Sequence, residues 1–221
     1  MTESVKPTTR GYHAPRRAAA AARTREVILA AAKARFEASG WAGSTIAAIA
    51  ADADVSPKTI EALFATKAAL LTAVVDYAIR GDAGETPMVG RDAGLAIESA
   101  PTAAALLQRH AAYAVAIVER SAPIAWVVES AAAGDRRVGE LWERMRHNRR
   151  FGARWAAENL LRKPGVRRDV GVDDAERVFL VAIDWGTYRT LTGELGLAPE
   201  DVCDWLHEYY RRMLLARPGR P

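Results

Sequence analysis

A chain of 221 residues, half of them hydrophobic and about a quarter charged, has globular composition and room for one large domain or two small ones. No apolar run reads as reaching the roughly 18 to 20 residues that span a bilayer, and the basic start lacks the core and cleavage site of a secretory signal. Cys203 stands alone, which excludes an internal disulfide and a cysteine-built zinc site, so a cytoplasmic protein with no membrane partner is expected. The net charge of +4 is unevenly placed: residues 1–25 hold six basic side chains against Glu3, and the rest of the chain holds 25 basic and 26 acidic residues.

Residues 1–23, with Pro7, Gly11 and Pro15 and no periodic apolar face, are expected to form a disordered basic arm. Two readings of it stand open, a solvated tail and a segment that binds a polyanion. From Thr24 onward helix follows helix, Gly and Pro fall between periodic segments, and no stretch alternates at period two. A first helix over 24–39 places Ile28, Ala32 and Phe36 on one face, with Gly40 where a left-handed terminal residue is favoured. A second over 45–52 has Ser44 as its candidate cap. The third starts at Ser56, with Pro57 in the first turn and Val55 placed to staple onto Ile60. A fourth covers 66–79. Residues 81–94, rich in glycine, read as an exposed loop between a domain over 24–80 and another over 81–221. Beyond it helices are expected over 102–121, 123–133, 136–162, 173–194 and 199–216, with Pro123 separating the first two. The fold class is all-α.

Residues 45–64 have the makings of a helix-turn-helix, in which a second helix enters the DNA major groove while the first crosses the backbone. Ala47, Ala50 and Ala51 keep the first helix thin, Ile46, Ile49, Val55, Ile60 and Leu63 supply a shared core, and Asp54 falls where the turn needs a left-handed residue. Small helical bundles also produce this spacing, so the pattern alone leaves a purely structural reading open.

Residues 25–71 resemble, without a gap, the N-terminal domain of the tetracycline-repressor (TetR) family of transcriptional regulators. The resemblance is carried by Arg25 to Leu29, Ala32, Phe36, Gly40-Trp41, Ser44-Thr45, Ile49-Ala50, Val55-Ser56, Thr59-Ile60, Phe64 and Lys67 to Leu71. It implies an N-terminal three-helix helix-turn-helix domain joined to a larger helical domain that binds ligand and dimerises. It further implies that Thr45 offers its hydroxyl and amide to a phosphate, that Ser56, Lys58 and Thr59 lie where a recognition helix meets bases and phosphates, and that Lys67 contacts a phosphate. Arg16, Arg17 and Arg23 of the arm would reach the adjacent minor groove. Glu61 and Ala62 depart from the family, which commonly carries an aromatic and a polar or basic residue there. Residues 24–80 also sum to zero charge, so the arm is expected to supply much of the attraction to DNA.

In the remaining two-thirds, His110, Tyr113, Trp126, Trp142, Met145 and Trp155 are candidates for an apolar pocket holding a small apolar or aromatic ligand, with plain core packing as the alternative. Val178, Val181, Trp185 and Tyr188 on one helix, and Val202, Trp205, Tyr209 and Met213 on another, form apolar stripes that would pair across a two-fold as a four-helix bundle, or pack within one chain. The basic run Arg144, Arg146, His147, Arg149, Arg150 and Arg154 reads as a solvated face before it reads as a second nucleic-acid surface. There is no glycine-rich phosphate loop, nucleophile elbow or histidine pair at ligand spacing, so neither catalysis, a cofactor nor a metal is expected. The functional expectation is a homodimeric, ligand-responsive repressor of a palindromic operator in double-stranded DNA. The alternative is a helical small-molecule-binding or scaffolding dimer without specific DNA binding.

Overall fold

The computed structural model describes residues 14–84 and 86–216. Helix α1, Ala14–Gly43, begins well before the expected start, so residues 14–23 are helical where an unfolded arm was anticipated. The alanine run 18–22 explains this, because Ala fixes in a helix at the least entropic cost. Residues 1–13, the rest of that arm, lie outside the described residues. The regular path of α1 is interrupted at Gly40, with φ 65° and ψ −177°. Ser44 does not cap the next helix: it is fully buried, and its hydroxyl bonds the Gly40 carbonyl at 2.7 Å. Thr45 caps α2, Ile46–Asp52, instead. Asp54 turns the chain at φ 52°, Ser56 caps α3, Pro57–Phe64, and Thr66 caps α4, Lys67–Arg80, which Gly81 ends in the left-handed region. Helices α3 and α4 meet at 73°.

The glycine-rich stretch after α4 is not all loop. It contains a 3-10 turn, Met88–Gly90, and helix α5, Asp92–Glu98. Arg91 grips Asp82 through two bonds of 2.6 and 2.9 Å, and Gly94 sits so close to this turn that a Cβ would fall 2.5 Å from the Val89 carbonyl oxygen.

Helix α6, Ala103–Ala132, runs straight through Pro123, where two helices were expected. Proline removes one amide donor and crowds the preceding turn, but Ser121 and Trp126 on either side are bonded to Trp185, which holds the helix together there. After α7, Arg136–Leu161, the expected single helix over 173–194 divides into α8, Val172–Ala182, α9, Trp185–Arg189, and a wide π-type turn, Thr190–Glu194. The break is at Asp184, whose carboxylate accepts the Thr187 amide at 2.6 Å and starts a new helix. Helix α10, Pro199–Leu214, closes the fold.

The second domain packs largely around α6. One 18-residue window of that helix has mean hydropathy 1.3, enough by length and composition to cross a membrane, contrary to the reading of the sequence. Half of the window is buried in the fold, as befits a central core helix. Two apolar cores result. One gathers Phe36, Ile49, Ile60 and Leu71 of the head with Ile124, Val128, Val138 and Leu141 from α6 and α7. The other gathers Leu106, Leu107, Leu160, Phe179, Val202 and Leu206.

Candidate nucleic-acid interface

The head is held in shape by its own polar side chains. Thr45 Oγ1 accepts the Ala48 amide at 3.1 Å, and Ser56 Oγ accepts the Thr59 amide at 3.1 Å. Arg35 binds Asp52 through two bonds of 2.7 and 2.6 Å, tying α1 to the end of α2. On α3, Ile60 and Phe64 are buried, which turns Lys58, Glu61 and Ala62 outward on one face together with Ser56 at the cap. Thr59 is half-buried, and its hydroxyl bonds that of Ser56 at 2.8 Å, leaving this pair one hydroxyl proton for an outside acceptor. Thr45 is exposed and keeps its hydroxyl proton as well. The arrangement is a capped helix presenting one lysine, one carboxylate and small hydroxyls to solvent.

Lys67 is placed differently from a simple phosphate contact. Its ammonium donates to the carbonyls of Trp41 at 2.8 Å and Ser44 at 3.0 Å, and lies 4.0 Å from the centre of the Trp41 ring. Burial pushes this ammonium below its ordinary value, with Asp135 opposing. Two of its three N–H groups are engaged in holding the α1–α2 turn, so one remains to face outward. Trp41 in turn donates to Asp135 at 3.2 Å, and Asp135 caps α7 by accepting the Arg137 and Val138 amides. This contact between head and second domain was not anticipated from sequence. Arg23 is exposed on α1; Arg16 and Arg17 fall on its first turns, and their side chains lie outside the described residues.

The six pocket candidates are spread over the two apolar cores and their surroundings. His110 is buried against Tyr113, Phe179 and Tyr210. Met145 belongs to the head-side core, Trp142 packs on Trp185 at 5.4 Å, Trp126 donates to the Trp185 carbonyl, and Trp155 packs on the second core. Tyr113 alone of the six lines an open cleft of about 1000 Å³ between the end of α4, the 3-10 turn with α5, and α6. Sequence reasoning missed the cleft's Arg80, Arg91, Arg109 and Arg120. A signal was present, because Arg109, Tyr113, Ala116, Ile117 and Arg120 share one helical face.

The interface stripes also divide. Val202 and Tyr188 are buried within the protomer's own core, and Trp185 is half-buried, donating to Ser121 and packing on Trp142. Val178 is half-buried against the core. Val181, Trp205 and Met213 are exposed, and Tyr209 stacks on Trp205 at 5.5 Å. The arginines over 144–154 each have a carboxylate oxygen within 4 Å, which makes this run a neutralised face between α7 and its neighbours. Among the described residues no cluster of His, Cys, Asp and Glu could hold a metal ion.

Comparison with known proteins bears on this geometry. Residues 28–74, from α1 into α4, match the family described as bacterial regulatory proteins, tetR family. No curated protein matches the chain. Among solved structures, a transcriptional regulator from Saccharomonospora viridis in complex with choline superposes with a TM-score of 0.66 at 17% identity, covering 88% of this chain and 99% of that one. A TetR-family regulator from a Rhodococcus species gives 0.63 at 17% identity, with 86% and 98% covered. A TetR regulator from Haloarcula marismortui gives 0.62 at 20%, with 87% and 98% covered. The shared fold therefore extends over nearly the whole length of these chains.

Proposed function

By its N-terminal domain the chain belongs to the tetR family of bacterial regulatory proteins, and on that premise we propose that it is a ligand-responsive transcriptional repressor that binds a palindromic operator as a homodimer. The observation that carries this reading is the exposed face of α3, with Ser56, Lys58 and Glu61 held out by caps and by the Asp54 turn within the matched segment. Lys58 and Glu61 are the side chains long enough to reach base edges, the lysine toward guanine and the carboxylate toward cytosine N4. Thr45, Ser56 and the remaining N–H of Lys67 would position the head on phosphates, which fix register without reading sequence.

A two-fold dimer through the exposed residues of α8 and α10 would present two α3 helices to successive major grooves about 34 to 36 Å apart. An effector that alters the spacing of the heads then weakens DNA binding, and DNA weakens effector binding by the same factor. The choline bound by the Saccharomonospora viridis protein supports a small organic effector for this fold. Selection of duplexes from a random DNA pool, followed by titration at several salt concentrations, tests the proposal. A palindromic winner bound about 10³-fold above bulk DNA supports it. No enrichment would favour the second reading, a scaffolding or ligand-binding dimer. Glu61 on the exposed face and the zero net charge of residues 24–80 favour that alternative.

A further inference from the structure

We propose that the open cleft between α4, α5 and α6 is the effector site and that it takes an organic carboxylate with an apolar body, an inference that rests on reading the chain as a ligand-responsive regulator. Among the described residues four guanidinium groups, Arg80, Arg91, Arg109 and Arg120, line this one space, against the carboxylates of Asp82 and Asp92. Arg91 is neutralised by Asp82, whose carboxyl it holds down at about 2. Neither Arg109 nor Arg120 has a carboxylate partner among the described residues, and Arg80 has only Asp76 at 4.0 Å. A surplus of forked, permanently charged donors in a concave site is the arrangement that recognises a carboxylate bidentately. The α6 wall between those arginines is Ala112, Tyr113, Ala116 and Ile117, a surface for an apolar body rather than for a hydrated ion. This composition departs from the apolar or aromatic ligand that the sequence led us to expect, and it repels a cation.

The same arginines hold the end of α4. Arg91 Nη1 donates to the Arg80 carbonyl at 3.2 Å, and Arg120 donates through Nη2 to that of Ile79 at 3.1 Å and through Nε to that of Ala78 at 3.4 Å. These carbonyls are the negative end of the helix that carries the head. A carboxylate entering the cleft competes with them for Arg120, because a charged acceptor binds a guanidinium more strongly than a neutral one. Binding therefore loosens the last turn of α4, whose first turn sits beside α3. The cleft is thus placed to report occupancy to the DNA-facing helix.

The test uses the full chain and three eight-carbon probes, octanoate, octan-1-ol and octylammonium, followed by calorimetric titration. Octanoate is expected to bind at least about 10-fold more tightly than the other two, and Arg109→Gln to weaken it by about 10-fold, the scale of one charged hydrogen bond. Arg109 is exposed and bonds only the Ala96 carbonyl among the described residues, so this variant should retain the parent's circular dichroism. Arg120→Gln should weaken octanoate and also blunt its effect on DNA binding. Equal binding of the three probes, no octanoate binding, or an Arg109→Gln variant with parental affinity would overturn the assignment. Titration of the selected duplex in the presence of octanoate separates the two ideas. Octanoate that binds through Arg109 but leaves DNA affinity unchanged keeps the site and removes the regulatory reading. Specific DNA binding with no octanoate binding does the reverse.

Discussion

Gly40 occupies a backbone region, φ 65° and ψ −177°, that is essentially closed to residues bearing a Cβ. Nothing lies within 4 Å of where that Cβ would stand, so Gly40→Ala adds no clash and its cost is backbone strain alone, about 1 to 3 kcal/mol. Urea denaturation should show that loss, and an unchanged midpoint would mean the turn relaxes. His110 yields a second prediction. Burial among Tyr113, Phe179 and Tyr210 lowers its value from 6.5 to about 4. Between those pH values the unfolded chain takes up a proton that the folded chain refuses. The neutral histidine's contribution is therefore fully present above about 6.5 and is lost as pH falls toward about 4, by up to about 3 kcal/mol. His110→Phe should flatten that slope in equilibrium unfolding, and a slope that persists would assign it to other groups. The two residues differ in how far sequence exposes them. Gly40 announces itself by ending an apolar period, whereas Phe179 and Tyr210 reach His110 from α8 and α10, and no local pattern identifies them.

At the scale of elements, caps and periodicity made the head legible: Pro57, Ser56, Thr66 and Asp54 each act within a few residues of where they stand. Pro123 misled because its local rule was outweighed by tertiary contacts to Trp185, and α8 was read too long because Asp184 starts a helix inside an apolar stripe. The arm was misread for a related reason, since its charge suggested disorder while its alanines extend α1. Residues 18–23 are exposed, and among the described side chains of α1 the first that is buried is Ile28. Removing residues 2–23 should therefore leave thermal stability nearly unchanged while deleting Lys6, Arg10, Arg16, Arg17 and Arg23. If these face phosphates, the truncated protein binds DNA more weakly, and the salt slope falls by about 0.9 for each phosphate that is no longer neutralised. Parental salt dependence after truncation would return the arm to the status of a solvated tail.

For the whole molecule, the shared core matters most, because Ile124 and Val128 of α6 and Leu141 of α7 are packed among head residues. Domain division by composition could not show this, since the glycine-rich break after α4 marks a change of chain direction and not the end of a core. The proposed dimer face had the same weakness in sequence. A broad apolar stripe on α10 does not say which half serves its own protomer. The fold separates Val202, Leu206 and Tyr210, which point inward, from Trp205, Tyr209 and Met213, which form the adjoining and more exposed stripe of the helix. A carboxylate placed on the outer side would have to be desolvated on pairing, at a cost of several kcal/mol. Met213→Glu with Val181→Glu should accordingly raise the dimer dissociation constant by about 100-fold or more in sedimentation equilibrium. Because each head alone then meets one half-site, affinity for a palindrome should fall toward that for a single half-site. Val202→Ala provides the contrast, since it opens a cavity inside one protomer and should lower thermal stability while leaving the oligomeric state intact. A double glutamate variant that remains dimeric would place the two-fold on some other face and leave the exposed side of α10 without a partner.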